Sequence, residues 1–168
     1  MADMTEGSTS RFGLTIAVVA ALLDQLHKYW MLNILDLQEG STIRLAPFLD
    51  IRMTFNKGIS YGLLKQDSPL GRWMLVVVAL GAIVALVIWL TRVQDRLSAA
   101  SLGLITGGAA GNAIDRIRFG SVADFFSFHV GSFYWYIFNI ADVAIVAGVA
   151  GLLYGAFKSS HKSVENNS

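Results

Sequence analysis

Apolar residues fall into four long blocks separated by polar connections of very unequal length. Phe12 to Leu23 carries no charge, and its apolar character resumes after Asp24 to about Leu35. Trp73 to Leu90 and Leu97 to Ile114 are uncharged runs of 18, and Phe133 to Phe157 runs 25 residues with a single acid. A helix of about 20 residues crosses a hydrocarbon core of about 30 Å. The pattern therefore predicts spanning helices over about 12–34, 73–90, 97–116 and 133–157. It implies an all-α membrane protein, a four-transmembrane-helix bundle forming a single domain over 1–168.

A cleavable signal peptide would also begin with an apolar run. The leading tail, however, holds Asp3 and Glu6 against only Arg11, and no small-x-small site precedes Asp24-Gln25, so the first block reads as a span.

The second and third blocks are joined by the short turn TRVQDR, which makes them antiparallel neighbours. The other connections, 35–72 and 117–132, are long and open on the same face, where working parts usually sit. In the first, Leu49, Ile51, Met53 and Phe55 alternate with Asp50, Arg52, Thr54 and Asn56, the period of a half-buried strand. The preceding TIRLAPF alternates more weakly, with Pro47 as an edge or bend. A small sheet on the outer membrane surface is expected. The second connection has turn signals at Gly120-Ser121 and Gly131-Ser132 around an aromatic run suited to the interface.

Only 15% of residues are charged, and mean hydropathy is +0.54, against about 25% charged for a soluble domain. The net charge of +1 gives no reason to expect nucleic acid as a partner, and zero cysteines exclude disulfides and thiol chemistry. Basic residues do not orient the bundle: Arg11, Arg92, Arg96, Lys158 and Lys162 flank one face, while Lys28, Arg44, Arg52, Lys57, Lys65, Arg72, Arg116 and Arg118 fall on the other. The pair around the shortest loop, Arg92 and Arg96, alone favours cytoplasmic termini.

Two acids stand in strongly apolar surroundings, Asp124 in VADFFSF and Asp142 in FNIADVAIVAGVAG. An ionised Asp in hydrocarbon costs roughly 3 kcal/mol even on lenient scales, so such a residue reads as functional. Two carboxylates in contact share a proton, giving one base and one acid, the equipment of an aspartic peptidase. Asp142 lies 16 residues before Lys158, roughly 24 Å along a helix, and Asp115 lies 19 beyond Arg96, roughly 28 Å, so Asp124 and Asp142 approach the same membrane face. Asn139 and Asp142 share one helix face, Asn112 and Asp115 repeat the spacing, and Arg116 is a turn beyond Asn112. Interhelical hydrogen bonding alone would explain one such residue but poorly explains five near one face.

Asp24, four residues before Lys28, is either a helix salt bridge or a group orienting partners such as Arg116. Gly58-Ile59-Ser60-Tyr61-Gly62 fits a serine-hydrolase elbow, but a glycine turn after a strand explains it as well, and no histidine links to Ser60. His27, His129 and His161 lack metal-ligand spacing, so neither metal nor cofactor is expected, and His129 reads as interfacial. Phe12, Trp30, Trp73, Trp89, Tyr134, Trp135 and Tyr136 read as an aromatic belt. Gly107/Gly111 and Gly151/Gly155 read as close helix packing. A proton-coupled transporter is the rival class, opposed by the lack of visible repeats and by the clustering of the acids.

Five matches in order resemble the lipoprotein signal peptidase, or signal peptidase II, family: Asp24-Gln25-x-x-Lys28; Phe55-Asn56-x-Gly58 followed by Gly62; Gly111-Asn112-Ala113-Ile114-Asp115-Arg116; Gly120-x-Val122-x-Asp124-Phe125; and Phe138-Asn139-x-Ala141-Asp142. The resemblance implies an inner-membrane aspartic endopeptidase with cytoplasmic termini and a periplasmic active site, expected to act as a monomer. It would cut prolipoproteins before a diacylglyceryl-modified Cys, within the lipid bilayer surface, and would be the target of globomycin-type inhibitors. By position, Asp124 and Asp142 would be the dyad, with Asn56, Gly58, Asn112, Asp115, Arg116, Asn139, Asp24 and Lys28 binding substrate or supporting it. The chain departs from the pattern at Ile59-Ser60-Tyr61 and at His27, which stands where Ser is usual.

Overall fold

The structure, a computed structural model, describes residues 2–58 and 68–165, with side chains for 7–58 and 68–160. In chain order the elements are α1 (Ala2–Tyr29), a π-helical turn (Trp30–Ile34), β1 (Thr42–Ala46), β2 (Leu49–Asn56), α2 (Pro69–Leu90), α3 (Arg96–Phe119), β3 (Val122–Val130), β4 (Phe133–Phe138) and α4 (Ile140–Glu165). Four helices are long and apolar enough to cross a membrane: Gly7–Ile34, Pro69–Leu90, Arg96–Phe119 and Ile140–Ser160.

The amino acids at the helix ends explain where each begins and stops. Ser68 accepts from Gly71 N at 3.1 Å with Pro69 in the first turn, so α2 starts there. Asp95 Oδ1 accepts from Ser98 N at 2.8 Å and starts α3. That helix ends at Gly120, whose φ of +80° is a left-handed cap that favours glycine. Arg72 reaches across from α2 and donates to the carbonyls of Arg116, which also accepts from Gly120 N, and Ile117, clamping the end of α3.

The third helix is the hub, packed against α1, α2 and α4. Its buried face is mostly small: Ala99, Ser101, Gly103, Thr106, Gly107, Gly108, Gly111 and Ala113. Without a hydrophobic drive between helices in lipid, close backbone approach supplies the packing energy. A Cβ on Gly108 would strike the Ala141 carbonyl of α4, and one on Gly107 the Ala17 carbonyl of α1. By contrast α2 buries only Gly71, Val76 and Leu90, and turns the rest of its surface outward.

All four strands form one antiparallel sheet in the order β1-β2-β3-β4. It sits at the end of the bundle where α1 gives way to its π turn, over a core of Met31, Leu37, Ile51, Met53, Ala123 and Phe125. Each strand pairing carries a one-residue shift, between Arg44 and Ala46, between Ile51 and Thr54, and between Ser127 and His129.

Two expected boundaries are corrected. The fourth span does not start at Phe133: Phe133–Phe138 is strand β4, and α4 begins at Ile140. A short run rich in aromatic residues fits a pleated surface, and an apolar run of this length cannot be told from helix by periodicity. Likewise the connection expected over 117–132 starts later, since α3 continues to Phe119, and between its two turn signals the chain forms strand β3. His129 is buried in the protein, stacked on Tyr134 at 4.9 Å with Nε2 3.4 Å from Asp50 Oδ2.

Candidate active site

Asp124 enters the site through the register of the sheet. Between Ile51 and Thr54 strand β2 carries one extra residue, so Thr54, not Met53, stands opposite Asp124. Side chains alternate with period two, so this shift moves Asn56 onto the face of Asp124. The result is a bond from Asn56 Nδ2 to Asp124 Oδ2 at 3.2 Å. The other oxygen of Asp124 accepts from Asn139 Nδ2 at 2.6 Å.

Asp142 is placed by the start of α4. Asn139 is the residue before that helix, and its Oδ1 accepts from Asp142 N at 3.0 Å while Asp142 Oδ2 accepts from Asn139 N at 3.2 Å. This reciprocal arrangement is a capping box with an aspartate in the third position. Asp142 Oδ1 accepts in addition from Asn112 Nδ2 at 2.9 Å, and Asn112 Oδ1 accepts from Asn139 Nδ2 at 3.1 Å. Asn139 therefore touches both acids, one with its amide and the other with its backbone.

Behind the two acids lies a buried ionic network. Lys28 Nζ is 2.8 Å from Asp24 Oδ2 and 2.7 Å from Asp115 Oδ2, and donates to Asn112 Oδ1 at 3.4 Å. Gln25 Nε2 joins Asp24, Asp115 and the Gly111 carbonyl. The outer oxygens of the network reach the site's backbone: Asp115 Oδ2 accepts from Ala123 N at 3.1 Å, and Asp24 Oδ1 from Ala141 N at 3.0 Å. Those amides belong to the residues immediately before Asp124 and Asp142. One lysine thus ties together the supports of both acids.

Asp24 is fully buried and shows both parts of its expected behaviour, a salt bridge to Lys28 and a bond that orients a partner group, although that group is Ala141 N and, among the described residues, not Arg116. Arg116 instead donates to the Gly58 carbonyl at 3.0 Å and the Asn112 carbonyl at 3.3 Å. Gly58 N in turn donates to Asn56 Oδ1 at 3.0 Å. The remainder of the glycine-rich elbow, 59–62, lies outside the described residues. His27 packs between Phe125 (edge-on) and Phe126 (stacked), away from the two acids.

Asp124 and Asp142 line one cavity of about 220 Å³, together with Asn56, Asn112, Arg116 and Tyr136. Burial first, and then the neighbouring Asp142 carboxylate, push the Asp124 carboxyl up to about 7. A carboxyl that keeps its proton to near neutrality beside a second acid is arranged for acid–base work. Tyr136, one of the expected aromatic belt, accepts at its hydroxyl from Asn56 Nδ2 at 2.6 Å. Its place three residues before Asn139 was the available signal, but an aromatic in an apolar run does not announce a polar contact.

The family described as signal peptidase (SPase) II matches residues 16–158. The lipoprotein signal peptidase of Beijerinckia indica is 53% identical over 148 residues, covering 88% of this chain and 89% of that protein. The lipoprotein signal peptidase of Nitrobacter hamburgensis is 50% identical over 151 residues, covering 88% and 92%. A solved structure described as a bacterial membrane enzyme, determined by the in meso method at 2.3 Å, aligns with a TM-score of 0.77 at 27% identity over 88% of both chains. A second, at 1.9 Å, aligns with a TM-score of 0.73 at 27% identity over 87% of this chain and 92% of that one.

Proposed function

The chain belongs to the signal peptidase II family of aspartic proteases, which remove signal peptides from prolipoproteins, and on that premise we propose that Asp124 and Asp142 are its catalytic dyad. The observation that carries this reading is Asn139, which bonds to both carboxylates at the wall of one cavity. Asp124 holds the shared proton and Asp142 is ionised. Asp142 takes a proton from water as the water oxygen adds to the scissile carbonyl carbon, and Asp124 donates its hydrogen bond to the developing oxyanion. Collapse of the tetrahedral species breaks the C–N bond, with a proton passing to the leaving amine. Apparent titration values belong to the pair.

Asn56, Asn112 and Asn139 hold the carboxylates in place, while Arg116 and Gly58 fix the edge of the cavity where substrate backbone would pass. Asp24, Lys28 and Asp115 are supports set one layer back. An apolar groove of about 650 Å³ opens between β4 and α4 and shares Tyr136, Asp142 and Ile145 with the cavity. Its size suits a lipid chain, and it would seat the acyl groups of a diacylglyceryl-Cys so that cleavage falls just before that residue. Globomycin-type inhibitors would compete for the same space. The sheet end of the bundle would face the periplasm and the Arg92–Arg96 turn the cytoplasm, in the inner membrane of the cell, with one domain acting as a monomer.

The test is cleavage of a lipid-modified prolipoprotein by purified protein in micelles, with the product's new N-terminus identified by mass. Loss of product in both Asp124→Asn and Asp142→Asn, each still inserted, supports the dyad. Retained cleavage in either one, or proton flux across vesicles without cleavage, refutes it.

A further inference from the structure

Tyr136 stands at the junction of the catalytic cavity and the apolar groove, lining both. Strand β4 carries one extra residue between Tyr134 and Ile137, and Tyr136 sits in that irregularity with its hydroxyl on Asn56, beside Asp124. We propose that Tyr136 is a positioning residue of the peptidase site, its hydroxyl fixing the Asn56 amide against Asp124. The proposal rests on the dyad reading above.

The geometry of Asn56 is the reason. Its Oδ1 is taken by Gly58 N at 3.0 Å, and its Nδ2 donates both to Tyr136 Oη at 2.6 Å and to Asp124 Oδ2 at 3.2 Å. The Gly58 N–H, which can only donate, fixes which end of the amide is oxygen and leaves Nδ2 toward Tyr136 and Asp124. Of the two Nδ2 bonds, the one to Tyr136 is the shorter and the one to Asp124 the longer. The phenol is therefore the anchor, and the contact to the acid is what the anchor holds in place. Asn56 is the last residue of β2, where the ladder ends, so the backbone alone leaves its side chain free to turn.

The Asn56 bond also favours the ionised form of Asp124 over the protonated one. Removing the phenolic oxygen while keeping the ring releases the amide and weakens that preference. Two effects follow together: the dyad is less well oriented for the chemical step, and the proton leaves Asp124 at a higher pH. Substrate binding through the groove is unchanged, because the ring that forms its wall remains.

The experiment uses the full-length protein in micelles with a lipid-modified prolipoprotein, comparing wild type, Tyr136→Phe, Asn56→Ala and the double variant over a pH series. Tyr136→Phe should lower kcat roughly two- to tenfold, the range of one ordinary hydrogen bond, leave KM within about twofold by the same argument, and move the alkaline limb to higher pH. In the Asn56→Ala background the same change should add little, since both act through one amide. Wild-type kcat and pH profile in Tyr136→Phe, a change confined to KM, or losses that add fully in the double variant would each overturn the proposal. If Tyr136→Phe inserts poorly, Asn56→Ala carries the test, and an unmoved alkaline limb there overturns it. Asp124→Asn run alongside separates the two claims: its inactivity with a normal Tyr136→Phe leaves the dyad standing and removes only the tyrosine's role.

Discussion

Replacing Lys28 by Met tests whether one buried cation holds the site together. Lys28 Nζ sits within 2.8 Å of Asp24 and 2.7 Å of Asp115, and all three side chains are essentially without solvent. At an effective dielectric of 20 each contact carries roughly 6 kcal/mol of Coulomb attraction, most of it offset by the desolvation of the ions. The net worth of the network is thus small, but the penalty for removing one partner is not: two adjacent carboxylates would remain buried with no counter-ion. Such losses run about 3–5 kcal/mol, roughly 150- to 4,000-fold in the folded-to-unfolded ratio. The same oxygens hold Ala123 N and Ala141 N, so cleavage should fall with stability. The triple variant Asp24→Asn, Lys28→Met, Asp115→Asn removes all the charge while keeping an amide oxygen for each backbone N–H, and should recover most of the lost stability. Thermal and denaturant unfolding in micelles, followed by circular dichroism, reads the first quantity, and prolipoprotein cleavage reads the second. A Lys28→Met protein within about 1 kcal/mol of wild type, the worth of a surface pair, would refute this account. So would a triple variant no more stable than the single one.

Because the Asp124 carboxyl sits up at about 7, cleavage that needs its proton should fall about tenfold per pH unit above that value, and it should fall again in acid once Asp142 is protonated and cannot act as base. A raised acid contributes stability that is full below the ordinary carboxylate range and is lost as pH climbs from about 4 to about 7, so resistance to unfolding should decline across that window and level off above it; kcat unchanged to pH 9 would contradict the assignment. Gly111→Ala places a Cβ 2.5 Å from Asp24 Oδ2 and should destabilise by about 1–3 kcal/mol, whereas Gly81→Ala meets nothing within 4 Å and should be neutral or slightly stabilising. Unfolding midpoints compare the two. Asn139→Ser keeps an oxygen to cap α4 but loses the amide to Asp124 and Asn112, so cleavage should drop at least tenfold while the unfolding midpoint stays near wild type; equal losses in both measurements would mean the residue only caps.

The one-dimensional pattern determined the four spans, because hydrocarbon length and the absence of charge are local properties of the chain. It also marked Asp124 and Asp142, since an acid in an apolar run is costly wherever it lies, and the spacing of Asn139 to Asp142 put the two on one side of the fourth helix, though not at its start. Tertiary structure decided the rest. The six residues Phe133–Phe138 are apolar enough for either helix or strand, and only pairing with β3 made them strand. Asn56 alternates in sequence as a solvent-side residue, and a single bulge in β2 turned it toward Asp124. Asp24 and Lys28 look like an ordinary helix pair at four-residue spacing; only the arrival of Asp115 from α3 and of two backbone amides from β3 and α4 made them the joint on which both acids rest. Local chemistry could show which groups were out of place in lipid. Register and long-range contact determined what those groups meet, because neither depends on any one stretch of chain.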